Sequence, residues 1–93
     1  MNVNIDDTLA QRANTHGDFR DNSAISQEIK QIIFTSPNAA AFLPVQAEAL
    51  DMIAHKIARI CCGDFNEVDH WLDISGYSTL VCKSLTEVKN LPL

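Results

Sequence analysis

The stretch that decides the fold of this chain runs from Pro44 to Gly63 and reads PVQAEALDMIAHKIARICCG. Proline suits the first position of a helix, where its missing N–H is not needed, and glycine suits the position just after the last turn. Between the two, large apolar residues recur every three or four positions and so share one side of a helix: Leu50, Ile53, Ile57 and Ile60. The pattern predicts an amphipathic helix from Pro44 to about Cys62, buried along that side.

Three more segments have helical periodicity. We predict a first helix over residues 5–15, a second over 23–34 capped by Asn22 or Ser23, and a fourth over 67–88. The apolar residues of their main faces are Ile5, Leu9 and Ala13; Ile25, Ile29, Ile32 and Ile33; and Trp71, Ile74, Val81, Leu85 and Val88. Because the connections are short, neighbouring helices should lie antiparallel. The sequence therefore predicts an all-α protein, a compact, antiparallel, four-helix bundle-like domain over residues 1–93 with frayed ends at 1–4 and 89–93.

The charge balance narrows the classes of partner. The chain has 7 Lys and Arg residues against 12 Asp and Glu residues, a net charge of −5. Such a chain lacks the cations that neutralise phosphates along a nucleic acid, so we expect no direct binding to DNA or RNA. No apolar run is long enough to span a membrane. The three cysteines, odd in number with two adjacent, indicate reduced thiols in a cytoplasm rather than a disulfide framework.

Two polar rows could carry chemistry, because residues three, four and seven apart share a helix face. The third helix carries one row with Lys56 beside it: Glu48, Asp51, His55 and Arg59. The fourth carries Asp69, Asp73 and Tyr77, each four residues from the next. Carboxylates on a partly apolar side need partners, since burying an unpaired charge is costly. Either a structural ion pair or a metal would serve, and we expect Asp73 and Tyr77 to face Lys56 or Arg59.

The same side of the fourth helix carries Leu72, Gly76 and Leu80, away from its main apolar face. Leaving these residues in solvent would expose an apolar patch. We therefore expect a homodimer or a higher homo-oligomer in which this second face takes part.

A polar loop joins the first two helices, with His16, Gly17 and Asp18 followed by Asn22. Turn and capping chemistry would explain these residue types, since Gly17 can end one helix and Asp18 or Asn22 can begin the next. The functional alternative is a loop that closes over a ligand at the end of the bundle. P-loop, dinucleotide-binding, nucleophile-elbow and zinc-protease motifs are absent from the sequence.

Three segments carry a family resemblance: 15–19 with Asn22, 49–60, and 69–77. Together they resemble a family of small phage and prophage proteins of unassigned function, over about residues 15–80. That family in turn resembles the nucleotide-modification-associated domain of phage genomes. More distantly, it is similar to the all-helical nucleoside triphosphate pyrophosphohydrolases of the MazG and dimeric dUTPase type.

The resemblance implies a nucleotide ligand and a Mg²⁺ ion. MazG-type enzymes hold Mg²⁺ with ExxE and ExxD pairs on two neighbouring helices. Glu48 and Asp51 match the first pair in form, and Asp73 matches the Asp of the second. The chain departs from the pattern where His70 stands in place of the expected Glu, and Asp69 lies one residue too early to replace it.

Two hypotheses follow. In the first, the chain is a phage-encoded nucleotide-binding or nucleotide-metabolism accessory protein, acting in the host cytoplasm. The expected metal ligands are Glu48, Asp51, Asp69 and Asp73, and the expected ligand-binding residues are His16, Asp18, Asn22, Lys56, Arg59 and Tyr77. In the second, it is a phage-encoded interaction protein that binds and inhibits a host protein such as a defence component. Small size, acidity and the absence of a complete catalytic set motivate the second hypothesis. The sequence leaves both hypotheses open and does not decide whether the chain is an enzyme.

Overall fold

The protein folds into four α-helices, and the structure, a computed structural model, describes residues 4–89. The helices are α1 (Ile5–His16), α2 (Phe19–Phe34), α3 (Pro44–Cys62) and α4 (Val68–Lys89), with one 3₁₀ turn at Ala39–Ala41 before α3. The described residues contain no strand, so the all-α prediction is confirmed. The fraying predicted for residues 1–3 and 90–93 lies outside the described residues, whereas Asn4 caps α1 and Lys89 is the last residue of α4.

Side-chain caps set where the first two helices begin. The Asn4 Oδ1 accepts hydrogen bonds from the backbone N–H groups of Asp6 and Asp7, at 2.9 and 3.3 Å. The Asp18 Oδ1 does the same for Arg20 at 2.8 Å and Asp21 at 3.3 Å. The second helix therefore begins at Phe19, four residues earlier than predicted. The predicted cap at Asn22 or Ser23 is wrong, because Asp18 directly after the turn satisfies the free N–H groups first.

Helix α3 is the centre of the fold. It packs against α2 on one side and α4 on another, and α1 lies against α2 and α3. Among the residues whose burial the structure describes, the buried apolar ones are Ala49, Ala54 and Ala58, all on α3, and their small side chains let the neighbouring helices approach closely. The predicted stripe of Leu50, Ile53, Ile57 and Ile60 is only partly buried. Three helices arranged around a fourth provide no common centre for large side chains, which explains why small residues hold the buried positions.

Several large side chains from the predicted apolar faces of the helices are exposed. Trp71 is 54% exposed, and its Nε1 donates a hydrogen bond to the carbonyl oxygen of Phe65 at 2.9 Å. Farther along the same predicted face, Ile74, Val81 and Leu85 are partly buried, so this face does meet a neighbour although Trp71 itself is exposed. Ile5, Leu9 and Ile32, which were assigned to the apolar faces of α1 and α2, are exposed as well.

The turn between α1 and α2 packs directly on the turn between α3 and α4. A Cβ added at Gly63 would lie 2.5 Å from the His16 carbonyl carbon, and closer still to the Thr15 oxygen. A Cβ at Gly17, whose φ is +86°, would lie 2.5 Å from the backbone of Cys62. The Thr15 carbonyl accepts hydrogen bonds from the Asp64 N–H at 2.9 Å and from the His70 Nε2 at 3.1 Å. Gly63 thus permits a close approach in addition to ending α3.

Among the residues that the structure describes, no helix combines the length and apolar character required to cross a bilayer.

Candidate functional site

A cavity with a volume of about 940 Å³ lies between α1, α2 and α3. A volume of this size falls within the range of ligand pockets. Its apolar wall is formed by Leu9, Ala13 and Phe19. Its polar wall is formed by Arg12, His16, Asn22, Ser23, Ser26, Gln27, His55 and Arg59. None of the described residues that line it is acidic, although the chain as a whole carries a net charge of −5.

Each of the three helices contributes a pair of polar residues four positions apart, so that both members of a pair point to the same side. The pairs are Arg12 and His16 on α1, Asn22 and Ser26 on α2, and His55 and Arg59 on α3. The sequence interpretation named His16, Asn22 and Arg59 as ligand-binding candidates, and the structure brings these three to one cavity. It named neither Arg12 nor Ser26, and it placed His55 in a polar row of the third helix without giving it a ligand-binding role. The four-residue spacing of these polar pairs was visible in the sequence. It indicates a shared site only when the arrangement of the helices in space is known.

Both histidines of the cavity are held toward their neutral forms. Burial lowers the pKa of His16 below its usual value of 6.5, and the positive charge of Arg59 adds to the effect. His16 also stacks at a tilt on His70, with ring centroids 5.6 Å apart. Burial likewise lowers the pKa of His55, with Lys30 as the next cause. The negative charge of an anion in the cavity would act in the opposite direction and favour protonation of His16.

The wall of the cavity contains a buried hydroxyl group that lacks a hydrogen-bond partner. Ser26 is 2% exposed, and its Oγ makes no hydrogen bond within the described structure. Leaving a buried polar group unpaired costs about 1–3 kcal/mol. Asn22, one turn earlier, is also buried, but its Nδ2 donates to the His16 carbonyl oxygen at 3.0 Å. Asn22 therefore positions His16, whereas Ser26 has a free hydroxyl to offer a ligand.

Lys30 on α2 connects the cavity to a polar contact between α2 and α3. Its Nζ lies 2.9 Å from the His55 Nε2 and 3.0 Å from the Asp51 Oδ1. The ammonium donates to both, so the His55 ring accepts at Nε2 and is neutral there. This contact fixes the ring of His55 at the cavity edge and engages Asp51, a predicted metal ligand, in an ion pair.

The remaining predicted ligand-binding residues lie apart from the cavity lining. Lys56 is 9% exposed, and its Nζ pairs with the Asp73 Oδ2 at 2.9 Å, which confirms the predicted contact between α3 and α4. The hydrogen bond from Lys56 holds the pKa of Asp73 below its usual 3.8. Asp18 is the cap of α2, and Tyr77 lies partly buried on α4.

The four predicted metal ligands are spread along two helices. Because Lys56 contacts Asp73, the antiparallel register places Asp73 about five residues, or roughly 7 Å, along the axis from the level of Asp51. Asp69 lies one turn farther from Asp51, and Glu48 is exposed at the other end of α3. Among the described residues, no group of three or more His, Cys, Asp or Glu side chains is placed to hold a metal ion.

Comparison with protein-family models, with curated proteins and with solved structures finds no match for this chain. The resemblance to phage proteins stays a prediction from the segments that carry it.

Proposed function

We propose that this protein binds a nucleotide through its phosphates in the cavity between α1, α2 and α3. The observation that carries the proposal is the lining of that cavity: two arginines and two histidines, with no carboxylate among the described lining residues of an acidic chain. Arginine recognises phosphate through paired, charge-assisted hydrogen bonds. The cavity is large enough for a base and sugar beside the phosphates, and Leu9, Ala13 and Phe19 offer the base an apolar wall.

Within the proposed complex, the side chains have distinct tasks. Arg12 and Arg59 bind phosphate oxygens from α1 and α3. His16 becomes protonated as the anion arrives, because the negative charge favours the imidazolium form that burial disfavours. His55, whose Nε2 accepts a hydrogen bond from Lys30, stays neutral and can donate to the ligand through its other ring nitrogen. The Ser26 hydroxyl, buried and without a partner, donates to a ligand oxygen.

Magnesium belongs to this proposal as an ion brought by the phosphates, with water completing its coordination, rather than as one held in a cage of protein carboxylates. Asp51 and Asp73 each pair with a lysine, which favours a structural role for both. The family resemblance extends the proposal to nucleotide metabolism during phage infection.

A thermal-shift screen tests the proposal. Nucleoside mono-, di- and triphosphates, with inorganic phosphate and pyrophosphate for comparison, are added with and without Mg²⁺. A ligand at 100 times its Kd stabilises the fold by about 2.7 kcal/mol, which for a domain of this size raises Tm by about 10–20 °C. If no phosphate compound at millimolar concentration raises Tm, the proposal is wrong.

Matched variants then locate the site. Arg12→Gln and Arg59→Gln each remove one cation from the cavity, and each should weaken the binding of the best nucleotide at least tenfold. Arg20→Gln removes the same charge from an exposed position that does not line this cavity, so its affinity should stay within about twofold of the parent. Equal losses in all three variants would indicate a non-specific effect of net charge.

A further inference from the structure

The exposed side of α4 carries a symmetrical pattern centred on Gly76. Leu72 and Leu80 lie four residues before and after it, and Asp69 and Lys83 lie seven residues before and after it. Spacings of three and four residues keep all five positions on one side of the helix. Leu72 is 58% exposed and Leu80 is 60% exposed. Asp69 and Lys83 are exposed as well, and neither forms an ion pair with another described residue.

From this pattern we infer that α4 pairs with α4 of a second copy of the chain, antiparallel, about a two-fold axis that passes close to Gly76. In a two-fold interface, if one residue contacts a second across the axis, the second contacts the first in return. An axis at Gly76 places Leu72 opposite Leu80 of the second copy. It also places Asp69 opposite Lys83 of the second copy, so that each contact occurs twice. A parallel pairing would instead place each charge opposite its own copy.

Gly76 fits the position on the axis, where the two backbones come closest. A Cβ added there would meet nothing within 4 Å in the single chain. Glycine weakens a helix interior, and nothing within the chain requires it at this position. A close approach of a second backbone does require it.

The amount of exposed surface supports a second copy of the chain as the occupant. The chain exposes 6889 Å², whereas a folded monomer of 10.3 kDa exposes about 5,400 Å². A standard interface covers about 800 Å² of each partner, which the excess of roughly 1,500 Å² can supply. Among the described residues, no Leu, Ile, Val, Phe, Met or Trp is fully buried, so the single chain leaves apolar surface for a partner to cover.

Analytical ultracentrifugation of the full chain and its variants tests the pairing. The parent should sediment as a dimer. Gly76→Gln inserts a long side chain at the axis and should raise the dimer Kd at least tenfold. Ser75→Gln, the matched control, adds the same side chain at the next exposed position, about 100° around the helix, and should change the Kd by less than threefold. Circular dichroism confirms that both variants retain their helices.

Charge reversal tests the antiparallel register. Asp69→Lys alone and Lys83→Asp alone each place like charges opposite one another twice per dimer, and each should raise the Kd at least tenfold. The two changes together restore opposite charges and should return the Kd to within about threefold of the parent. A double variant as weak as the single ones would overturn the antiparallel pairing. A parent protein that stays monomeric at millimolar concentration would overturn the inference. This holds also if a host protein, rather than a second copy of the chain, covers α4.

Discussion

The contact between the two turns can be tested by one substitution, Gly63→Ala. The added Cβ would lie 2.5 Å from the His16 carbonyl carbon and 2.7 Å from the Gly17 nitrogen, where ordinary contacts begin near 3.4 Å. Every atom in the way is backbone, so no side chain can swing aside. The turn that ends α1 must withdraw by about an ångström, a distance that breaks a hydrogen bond.

The expected loss follows from the hydrogen bonds to the Thr15 carbonyl. It accepts from the Asp64 N–H at 2.9 Å and from the His70 Nε2 at 3.1 Å, and His70 is only 2% exposed. Losing the first hydrogen bond costs about 1 kcal/mol, and leaving the buried imidazole N–H unpaired costs about 1–3 kcal/mol. The free energy of unfolding should therefore fall by about 2–4 kcal/mol, which lowers Tm by about 10–30 °C.

Urea and thermal unfolding followed by circular dichroism measure this loss, with Ser75→Ala as an exposed control that should stay within about 0.5 kcal/mol of the parent. A double-mutant cycle with His70→Ala shows the route of the effect. Because both changes remove the hydrogen bond to the Thr15 carbonyl, the double variant should lose less unfolding free energy than the two single variants lose in total. A Gly63→Ala protein as stable as the parent, or strict additivity in the cycle, would refute the reasoning.

Three other predictions concern the polar groups. Asp73→Asn should destabilise the fold, because it leaves the buried Lys56 ammonium without its partner. Lys56→Met removes the buried charge itself and should be neutral or stabilising. If urea unfolding shows Lys56→Met to be the less stable of the two variants, the ion pair is not structural. Because the folded-state pKa values of His16 and His55 lie below 6.5, the stability of the ligand-free protein should be complete above pH 6.5 and fall as the pH drops through those values. Nucleotide affinity, measured by calorimetry, should instead rise between pH 7.5 and 6, and a His16→Gln, His55→Gln double variant should flatten both trends. Ser26→Ala should stabilise the ligand-free protein, since it removes an unpaired buried hydroxyl, yet weaken nucleotide binding; a loss of stability would show that the hydroxyl has a structural partner.

Helix periodicity and its end signals were sufficient to predict the all-α class and most of the helix boundaries. α3 runs from Pro44 to Cys62 as predicted, because proline and glycine at its ends act through the local backbone alone. The contact between Lys56 and Asp73 was also predictable, since a short connection makes α3 and α4 antiparallel and sets which residues lie level. The start of α2 was missed because Asp18 and Asn22 are both good caps, and local sequence does not say which one acts.

The composition of the buried core and of the cavity depended on how the helices are arranged in space. Periodicity marks an apolar face but does not say which of its residues a neighbouring helix covers, so Trp71 and Ile32 lie on predicted apolar faces and are nevertheless exposed. Polar pairs from three helices line the cavity, and no single pair indicates a site by itself. Arg12 and Ser26 become candidates only because the fold places them beside Arg59. Local interactions along the chain determine the helices. The turn that contains Gly17 packs on the turn that contains Gly63 and so sets how α1 and α2 lie on α3. This packing decides which side chains of the three helices meet.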